Sequence, residues 1–260
     1  MVRSASPSAR QDHIKDLLLA HGSVRSDELS TLLDVSLMTI HRDLDTLADQ
    51  GWLRKVHGGA TLQRAGHFEL NVRARLRENE SLKRAVAAAA LALIGRGDAV
   101  ILDDSTATLA MAEGITQIGA ITLVTNFRRT MDAVAGVPGV ELIGLGGQYH
   151  SAYDSFFGST TAAAVGDLSA DLAFVSASAI ADGQCFHPLP ESIEVKRAML
   201  NATSRRVLVI DHSKLKKRAL HRFCALSDFD TVVIDAETPA EDLDALAESG
   251  VELIVAPLIP

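Results

Sequence analysis

The sequence predicts an α/β protein in two parts: a small helical part with a hairpin over residues 1–62, and a larger part with a mostly parallel sheet over residues 82–260. In the first part apolar residues recur at helical spacing. In the second, short apolar runs alternate with helical segments. Residues 63–81 are polar and are expected to be a linker. With 260 residues, 47% of them hydrophobic and 22% charged, the chain can bury two cores.

The segment between Ser36 and Gly51 has the clearest helical pattern. Four apolar residues at spacings of three and four are expected to share one buried face: Leu37, Ile40, Leu44 and Leu47. Ser36 is placed to cap the N-terminus, and Gly51 follows the C-terminus. The opposite, polar face is centred on Arg42, so it is available to a ligand.

Two shorter helical patterns precede this helix, one around Ile14 to Leu18 and one from a Ser26 N-cap to Leu33. The connection Leu33–Ser36 is short enough to cross the last two helices steeply, as in a helix-turn-helix that presents its last helix to the major groove. A hairpin is predicted next, from a strand, a turn and a return strand: Trp52–Val56, His57–Gly59 and Ala60–Leu62. The first part is therefore predicted to be a winged helix-turn-helix.

The segment Val35 to Ala60, VSLMTIHRDLDTLADQGWLRKVHGGA, resembles the DeoR family of bacterial transcriptional regulators, which pairs a recognition helix VS-x-x-TI-x-RDL with a wing ending in HGGA. At His41 the family commonly has arginine. A three-helix unit alone can also serve in dimerisation or protein docking, and the added wing favours DNA. The resemblance implies that these residues bind double-stranded operator DNA: Ser36, Thr39, His41, Arg42, Arg54, Lys55, His57, Gly58 and Gly59.

The net charge of −8 at first sight argues against a nucleic-acid partner. Residues 1–64, however, carry 8 basic and 8 acidic side chains, whereas residues 65–260 carry 17 and 25. The excess acid therefore lies in the second part. Because the first part is neutral rather than basic, specific DNA binding is expected to depend on a homo-oligomer, either a dimer or a tetramer.

Membrane, metal and cofactor sites are not predicted. No run reaches the roughly 18 apolar residues of a membrane helix, and MVRSASPSAR lacks the apolar core of a signal peptide. We therefore expect a cytoplasmic protein without a membrane partner. Cys185 and Cys224 have no metal-ligand spacing, and the nine histidines, His187, His212 and His221 among them, are scattered.

The polar segment Gln63 to Glu80 carries three arginines spaced by two: Arg73, Arg75 and Arg77. They are expected to form a solvated face, with DNA phosphates or a partner subunit as alternatives. An alanine-rich helix is predicted from Leu82 to Ile94, before Gly95.

The larger part contains seven apolar runs that predict a mostly parallel, Rossmann-like sheet: Ala99–Leu102, Ile121–Val124, Val140–Leu145, Leu172–Val175, Val207–Ile210, Val232–Ile234 and Leu253–Ala256. Polar residues and glycines follow the runs. In an open α/β sheet the carboxyl ends of the strands meet at one edge, where ligands bind. This edge is therefore the predicted binding site.

The same positions are similar to the sugar-phosphate-sensing domain of the DeoR family, which resembles ribose-phosphate isomerases and glucosamine-phosphate deaminases. The similar pieces, over about residues 82–256, are LDDSTAT, VTN, LGG, ADLAFVSAS, EVKRAM and DHSK. The resemblance implies a small-molecule effector bound by Asp103, Asp104, Ser105, Thr106, Thr108, Thr125, Asn126, Gly146, Gly147, Lys196, Asp211 and Lys214.

Within that set the hydroxyls Ser105, Thr106 and Thr108 would bind phosphate, and Lys196 and Lys214 would neutralise it. The sugar hydroxyls would be held by Asp103, Asn126 and Asp211. Helix N-capping is the alternative role for Asp103 and Asp211.

The phosphate loop departs from the family pattern D-S-G-T-T. Asp104 replaces the serine, Ser105 the glycine and Ala107 a threonine, and Ala179 stands where glycine is more frequent. A serine lacks the backbone freedom of glycine, and Asp104 would repel a phosphate. Both a phosphorylated sugar and an unphosphorylated, polyol-like metabolite therefore stay open.

Two functions follow as expectations. The first is a transcriptional regulator, expected to be a repressor of a carbohydrate-metabolism operon. An effector would change the affinity of this regulator for its operator. The alternative is a sugar-phosphate isomerase or deaminase with a helical appendage, in which Glu191, Glu194 or Asp104 would act as a base. The wing motif favours the regulator, so no catalytic residue is assigned.

Overall fold

A computed structural model describes residues 7–49, 53–62 and 72–258. The chain divides into two compact units, Met1–Phe68 and Glu69–Pro260. Trp52, Gly51 and most of the linker, residues 63–71, lie outside the described residues. Among the helices that are described, none is long and apolar enough to cross a bilayer.

The first unit is a winged helix-turn-helix, as predicted. Three helices and three short strands follow one another: α1 (Pro7–His21), β1 (Ser23–Arg25), α2 (Ser26–Leu32), α3 (Leu37–Asp49), β2 (Leu53–Val56) and β3 (Gly59–Leu62). The strands form an antiparallel sheet in the order β1-β3-β2. Strand β1 was not predicted, because three residues are too few to show an alternating pattern.

The core of this unit confirms three of the four predicted apolar positions of α3. Ile40, Leu44 and Leu47 are fully buried, whereas Leu37 is 49% exposed. The prediction for Leu37 was wrong because helical spacing fixes only the direction of a side chain. Burial also needs a neighbouring element, and none of the described ones covers the first turn of α3 completely.

The predicted caps of α2 and α3 have different outcomes. The Ser36 hydroxyl accepts a hydrogen bond from the Thr39 N–H at 3.1 Å, as predicted for an N-cap. Ser26 is not a cap: it is the first helical residue of α2, and its buried hydroxyl has no hydrogen-bond partner among the residues that the structure describes. Its N–H instead donates to the Gly58 carbonyl at 2.9 Å, which connects α2 to the wing.

The second unit is built on a seven-stranded parallel sheet, which confirms the Rossmann-like prediction. Its strands are β4 (Ala99–Leu102), β5 (Ile121–Thr125), β6 (Val140–Gly144), β9 (Ala170–Val175), β12 (Thr203–Val209), β14 (Thr231–Asp235) and β15 (Glu252–Ala256). Their order is β15-β14-β12-β9-β4-β5-β6. The chain builds one half outward from β4 and then returns to β9 beside it. A topological switch point therefore lies between β4 and β9, where open α/β sheets bind ligands.

Helices cover both faces of this sheet. They are α4 (Val72–Arg77), α5 (Glu80–Leu91), α6 (Thr106–Leu109), α7 (Ala112–Ile118), α8 (Arg128–Val134), α9 (Ser159–Gly166), α10 (Pro190–Asn201) and α11 (Ala240–Ala247). Alternate residues of a strand enter opposite cores: Val100 packs in the core that α5, α7 and α8 contribute to, and Ile101 in that of α9 and α10.

Two small antiparallel elements complete the unit: the hairpin β7 (Gln148–His150) with β8 (Ser155–Phe157), and the three-stranded sheet of β10 (Ala179–Ala181), β11 (Gln184–His187) and β13 (His221–Ala225). The described end of the expected linker is helical, since α4 occupies residues 72–77. The alanine-rich helix α5 begins at Glu80, two residues before the predicted start, with the glutamate in its first turn, where the helix dipole favours an acidic side chain.

Candidate functional site

The polar face of α3 and the wing are open to solvent. Of the residues predicted to contact DNA, the exposed ones are Ser36, His41, Arg42, Arg54, Lys55, His57 and Gly58. Thr39 is half-buried. Gly59 is buried, because it lies against β1, where an added Cβ would collide with the Val24 carbonyl oxygen. Gly59 therefore has a packing role in the sheet.

Two apolar side chains extend this exposed face. Met38 is 63% exposed and Leu37 is 49% exposed in the first turn of α3. They precede Arg42 and His41 by four residues, so they lie on the same side of the helix. In the wing, Lys55 Nζ lies 2.5 Å from the Asp45 carboxylate of α3, with both side chains partly open to water. Such a surface pair contributes little stability.

The aspartate of the RDL motif has a structural environment. Asp43 is buried, and its carboxylate accepts hydrogen bonds from Arg10 Nε at 2.5 Å and Arg10 Nη2 at 3.2 Å. Gln11 Nε2 donates to the same carboxylate at 3.0 Å. Asp43 therefore fastens the recognition helix to α1, while its neighbour Arg42 faces solvent.

The second unit has a pocket at the carboxyl edge of its sheet, beside the switch point. Its empty volume, including the mouth, is about 380 Å³. The lining residues are Arg75, Lys83, Asp104, Ser105, Thr106, Ala107, Ser176, Ala177, Ser178, His187, Lys196, Asp211 and Lys214. Six of the predicted effector-binding residues belong to this lining: Asp104, Ser105, Thr106, Lys196, Asp211 and Lys214. We refer to it as the carboxyl-edge pocket.

Asp103 forms the buried floor beneath this pocket. Its carboxylate pairs with Lys196 Nζ and accepts hydrogen bonds from the Ser176 N–H at 2.7 Å, the Ser105 N–H at 3.0 Å and the Thr108 hydroxyl at 2.9 Å. Burial raises the pKa of Asp103, but the Lys196 ammonium and these donors outweigh it and hold the pKa below its ordinary value. Asp103 is therefore a fixed anion.

The departures in the phosphate loop have specific consequences. Asp104 is 2% exposed and lies 3.3 Å from Lys196 Nζ, so Lys196 faces two carboxylates. Ser105 has an ordinary extended backbone, with φ of −86°, and caps α6 by accepting the Thr108 N–H at 3.1 Å. The backbone here therefore does not require the glycine of the family pattern. The added Asp104 carboxylate pairs with Lys196, the cation that the resemblance assigned to phosphate.

Six predicted effector residues lie outside the lining of the carboxyl-edge pocket: Asp103 and Thr108, which bond to each other beneath it, and Thr125, Asn126, Gly146 and Gly147. The Thr125 hydroxyl accepts the Phe127 N–H at 3.1 Å, and Asn126 Nδ2 donates to the Phe156 carbonyl at 2.9 Å. The Gly146 carbonyl accepts the Thr161 hydroxyl at 2.7 Å. These bonds hold the β7–β8 hairpin and α9 in place. Asn126 Oδ1 is buried and has no hydrogen-bond partner within the described part of the chain.

Asp211 has the capping role that the sequence left open. It accepts the Ser213 N–H at 3.0 Å, capping a 3-10 turn, His212–Lys214, and the Asn79 side-chain amide at 3.0 Å. Burial raises the pKa of Asp211, but the Lys214 charge and these donors bring it below its ordinary value. The turn places Lys214 at the rim of the pocket.

Arg75 and Lys83 are lining residues that the sequence did not identify. Arg75 is 5% exposed, which contradicts the expected solvated face, and its guanidinium carbon lies 5.4 Å from the centre of the Tyr153 ring. Its Nε and Nη2 have no hydrogen-bond partner among the described residues. Arg77, two residues on, is exposed as expected. The side chain of Arg73 is not described.

Lys83 is also 5% exposed, and its Nζ donates to the carbonyls of Arg75 and, at 2.5 Å, Glu78. Burial, with the nearby Lys214 charge, lowers the pKa of Lys83 to about 8. A signal existed in the sequence: Lys83 precedes Val86 and Ala87 by three and four residues and so lies on the apolar face of α5.

The described residues contain one group suited to a metal, His212, Asp235 and Glu237, with ligand atoms within 4.8 Å of one another. It is not the histidine set considered from the sequence. Both Asp235 oxygens already accept backbone N–H groups, Oδ2 from His212 at 2.7 Å and Oδ1 from Glu237 at 3.0 Å. Asp235 therefore orders the loop.

The candidate bases of an isomerase are not gathered at the pocket. Glu194 is exposed, and neither it nor Glu191 belongs to the lining. Asp104 is in the lining but pairs with Lys196. Of the three, only Asp104 lies in the pocket, and its carboxylate is paired with a cation.

Comparison with known proteins assigns both units. Residues 10–65 match the DeoR-like helix-turn-helix domain, and residues 78–236 match the DeoR C terminal sensor domain. A protein of Escherichia coli O157:H7, provisionally named the aga operon transcriptional repressor, is 31% identical over 257 residues, 97% of this chain and 95% of its own. The lactose phosphotransferase system repressor of Staphylococcus epidermidis is 29% identical over 229 residues, covering 87% and 91%.

Among solved structures, ribose 5-phosphate isomerase A of Methanocaldococcus jannaschii is 15% identical, with a TM-score of 0.39 over 53% of this chain and 55% of its own. A likeness at that level says nothing about activity. The function is shown instead by the matches to both domains and to full-length regulators. This chain belongs to the DeoR family of DNA-binding transcriptional regulators, and it is a regulator rather than an enzyme.

Proposed function

We propose that this protein represses a carbohydrate-metabolism operon. A sugar phosphate or a related metabolite, bound in the carboxyl-edge pocket, would release the protein from the operator or change its affinity for the operator. The observation that carries the effector half is the lining, which brings four cationic side chains but only two carboxylates, Asp104 and Asp211, to the switch point of a parallel sheet: Arg75, Lys83, Lys196 and Lys214. Cations that converge in a cleft favour an anionic ligand. The carbohydrate class comes from a relative that is named as a lactose system repressor.

The DNA-contacting surface proposed here is the exposed face of α3 together with the wing. Arg42 and His41 would reach base edges or phosphates, with Met38 and Leu37 in the first turn, the part of a recognition helix that lies nearest the bases. Arg54, Lys55 and His57 of the wing would contact the backbone. Apolar side chains there can contact the methyl group of thymine.

A homo-oligomer, with a dimer as the smallest form, would place two such surfaces on two operator half-sites. The first unit has no basic excess, so a single copy would gain little from nonspecific attraction to phosphates. Two linked copies gain affinity by effective concentration. Because its target is chromosomal DNA, the protein would act in the cytoplasm.

Effector binding would change operator affinity by favouring one arrangement of the oligomer. A coupling of about 1 to 3 kcal/mol is typical of such regulation, and it is reciprocal, so operator DNA would weaken the effector to the same extent. This reciprocity gives the proposal a quantitative test.

The experiment has two arms on the full chain. Duplexes selected by the protein from a random-sequence pool supply the DNA probe. Thermal unfolding against sugar phosphates and their unphosphorylated counterparts then finds the effector, since a ligand of the folded state stabilises it by RT ln(1 + [L]/Kd). We expect a stabilising compound to change affinity for the selected duplex, and Lys214→Ala to lose that response while keeping DNA binding. Turnover of a pentose or hexose phosphate, or failure to enrich any duplex, would overturn the proposal.

A further inference from the structure

The loop after β4 carries two adjacent carboxylates that share one cation. Lys196 Nζ forms an ion pair with Asp103 and lies 3.3 Å from Asp104 Oδ1, and none of the three side chains is more than 3% exposed. Because one ammonium balances only one carboxylate, the group has an excess of negative charge. Asp104 and Lys196 line the carboxyl-edge pocket, and Asp103 lies beneath it. The pocket is therefore locally anionic at the loop that the resemblance assigned to a phosphate.

The two carboxylates differ in the number of hydrogen bonds that they accept. Asp103 accepts two backbone N–H groups and a threonine hydroxyl, in addition to its pair with Lys196. The Asp104 carboxylate has Lys196 as its single hydrogen-bonding or ion-pair partner among the residues that the structure describes. An ionised carboxylate has about four acceptor positions, and leaving them empty in a buried place is costly. Asp104 therefore has acceptor capacity that a ligand in the pocket can use.

Serine hydroxyls on the other side of the switch point belong to the same pocket. Ser176 and Ser178, in the loop after β9, are both in the lining. Ser178 Oγ is buried and has no hydrogen-bond partner within the described ranges. The Ser176 N–H donates to Asp103 at 2.7 Å, which fastens the loop after β9 to the loop after β4. Ligand hydroxyls, which both donate and accept, suit a free carboxylate together with a free serine hydroxyl, whereas an ionised phosphate oxygen only accepts.

We propose that Asp104 is a specificity-determining residue of the effector site, which accepts hydrogen bonds from ligand hydroxyls and excludes an anionic group from the loop after β4. A phosphate at this loop would lie close to a carboxylate in a buried site, and the Lys196 charge that would attract it already faces two carboxylates. This inference rests on the proposed function. It assigns the uncharged, hydroxylated end of the effector to the loop, where the resemblance placed the phosphate. The effector class is therefore a sugar monophosphate or an unphosphorylated sugar, rather than a sugar bisphosphate.

The exclusion of anions is tested with inorganic phosphate as the probe, in thermal unfolding of the full chain at equal ionic strength. Asp104→Ser introduces the serine of the family pattern, and Asp104→Asn removes the charge with little change of shape. We expect both variants to bind phosphate about tenfold more tightly than the wild type, because the repulsion is lost and Lys196 keeps one carboxylate instead of two. The control is Asp167→Asn, which removes an exposed carboxylate outside the lining and should bind phosphate as the wild type does.

The melting temperature without phosphate separates a binding role from a structural one. Lys196 keeps its pair with Asp103 in both variants, so each should melt close to the wild-type temperature. A lower melting temperature of both variants with no gain in phosphate affinity would assign Asp104 a structural role and overturn the proposal. Unchanged melting temperatures with unchanged phosphate affinity would overturn it as well, because the carboxylate would then exclude nothing.

Pentose and hexose monophosphates test the contact with hydroxyls. The readout is the affinity of the tightest-binding monophosphate divided by the affinity for inorganic phosphate, which reports the contribution of the hydroxylated part of the ligand. We expect this ratio to fall about tenfold in Asp104→Ser, because the variant loses the acceptor and gains a place for an anion. An equal ratio in the wild type and the variant would refute the contact between Asp104 and the hydroxyls.

Failure of the proposed function is scored separately from failure of this inference. A wild type that enriches no duplex, or that none of the sugar compounds stabilises, would refute the regulator or its effector class, and the comparison of phosphate affinities still decides whether Asp104 excludes an anion. A wild type that enriches a duplex and responds to a sugar bisphosphate as strongly as to the matching monophosphate would refute the inference about Asp104 alone.

Discussion

Lys196 and Asp103 form an ion pair whose side chains are 3% and 0% exposed, at the point where β4 and β9 separate. Asp103 also accepts the Ser176 N–H at 2.7 Å, so one carboxylate connects α10, the loop after β4 and the loop after β9. The floor of the pocket is therefore built before any ligand arrives. Lys196, which sequence similarity assigned to the effector, is already committed to the fold.

Asp103→Asn should destabilise the protein by about 3 to 5 kcal/mol, the usual cost of leaving one partner of a buried pair uncompensated. The asparagine amide keeps the shape of the aspartate side chain, but its NH2 group would face N–H and O–H donors that the carboxylate now accepts. Denaturant unfolding measures the loss, with the exposed Asp167→Asn as a control expected within about 0.5 kcal/mol of wild type. If Asp103→Asn and Lys196→Met destabilise additively in the double variant, the two residues do not act as a pair.

The parts of the fold that were predictable are those with a long repeated pattern. Each of the seven parallel strands contains a run of apolar residues, including the partly exposed edge strands β6 and β15, so even the ends were found to within a few residues. The short antiparallel strands, such as β1 and β10, have three residues each and leave no periodic signal. They depend on partners distant in the sequence.

The strand pattern alone predicted the pocket only where it follows a strand, whereas Lys196 of α10 and Lys214 were identified through the family resemblance. Asp104, Ser105, Thr106 and Asp211 come directly after β4 and β12, and strand direction alone brings them together. Arg75 was missed because the spacing of the linker arginines suggested one solvated face. In a helix, residues two apart point in nearly opposite directions, so Arg75 enters the pocket while Arg77 faces solvent.

The recognition helix offers a pair of adjacent residues with separable roles. Arg42→Ala should weaken binding to a selected duplex by more than about 1 kcal/mol and leave stability unchanged, because Arg42 is exposed and free to contact DNA. Asp43→Asn should instead lower the free energy of unfolding by about 3 kcal/mol, since it breaks the buried pair with Arg10. Fluorescence anisotropy and urea unfolding measure the two effects. Equal loss of stability in both variants would assign Arg42 a structural role.

Neighbouring glycines after β6 provide a test of packing near the β7–β8 hairpin. Gly147 has a φ of +149°, and an added Cβ would collide with the Thr161 hydroxyl and lie 2.8 Å from the Phe157 carbonyl oxygen. Gly147→Ala should therefore cost about 1 to 3 kcal/mol in denaturant unfolding. Gly146→Ala is the matched control, because nothing lies within 4 Å of its Cβ position. Equal stability of the two variants would show that this loop tolerates the added methyl group.

Lys83 should give the protein a distinctive pH dependence. Burial, followed by the charge of Lys214, lowers its pKa from an ordinary 10.5 to about 8; Asp211 and Glu78 act in the opposite direction, and Arg75 adds to the lowering. In the folded protein the proton therefore leaves Lys83 at a lower pH than in the unfolded chain. Between pH 8 and 10.5 the unfolded state holds more protons, so the contribution of Lys83 to stability rises with pH across that window.

The difference between wild type and Lys83→Met isolates this contribution, since other titrating groups are common to both proteins. Urea unfolding at pH 7, 8, 9 and 10 should show the wild type gaining stability relative to Lys83→Met above about pH 8, with little relative change below it. The affinity for phosphate should have the opposite pH dependence and fall as the pH rises. A bound anion favours charged Lys83, so apparent phosphate affinity should fall by up to about tenfold per pH unit above 8. A constant stability difference across the series, with phosphate affinity independent of pH, would mean that Lys83 keeps an ordinary pKa and does not contact the anion.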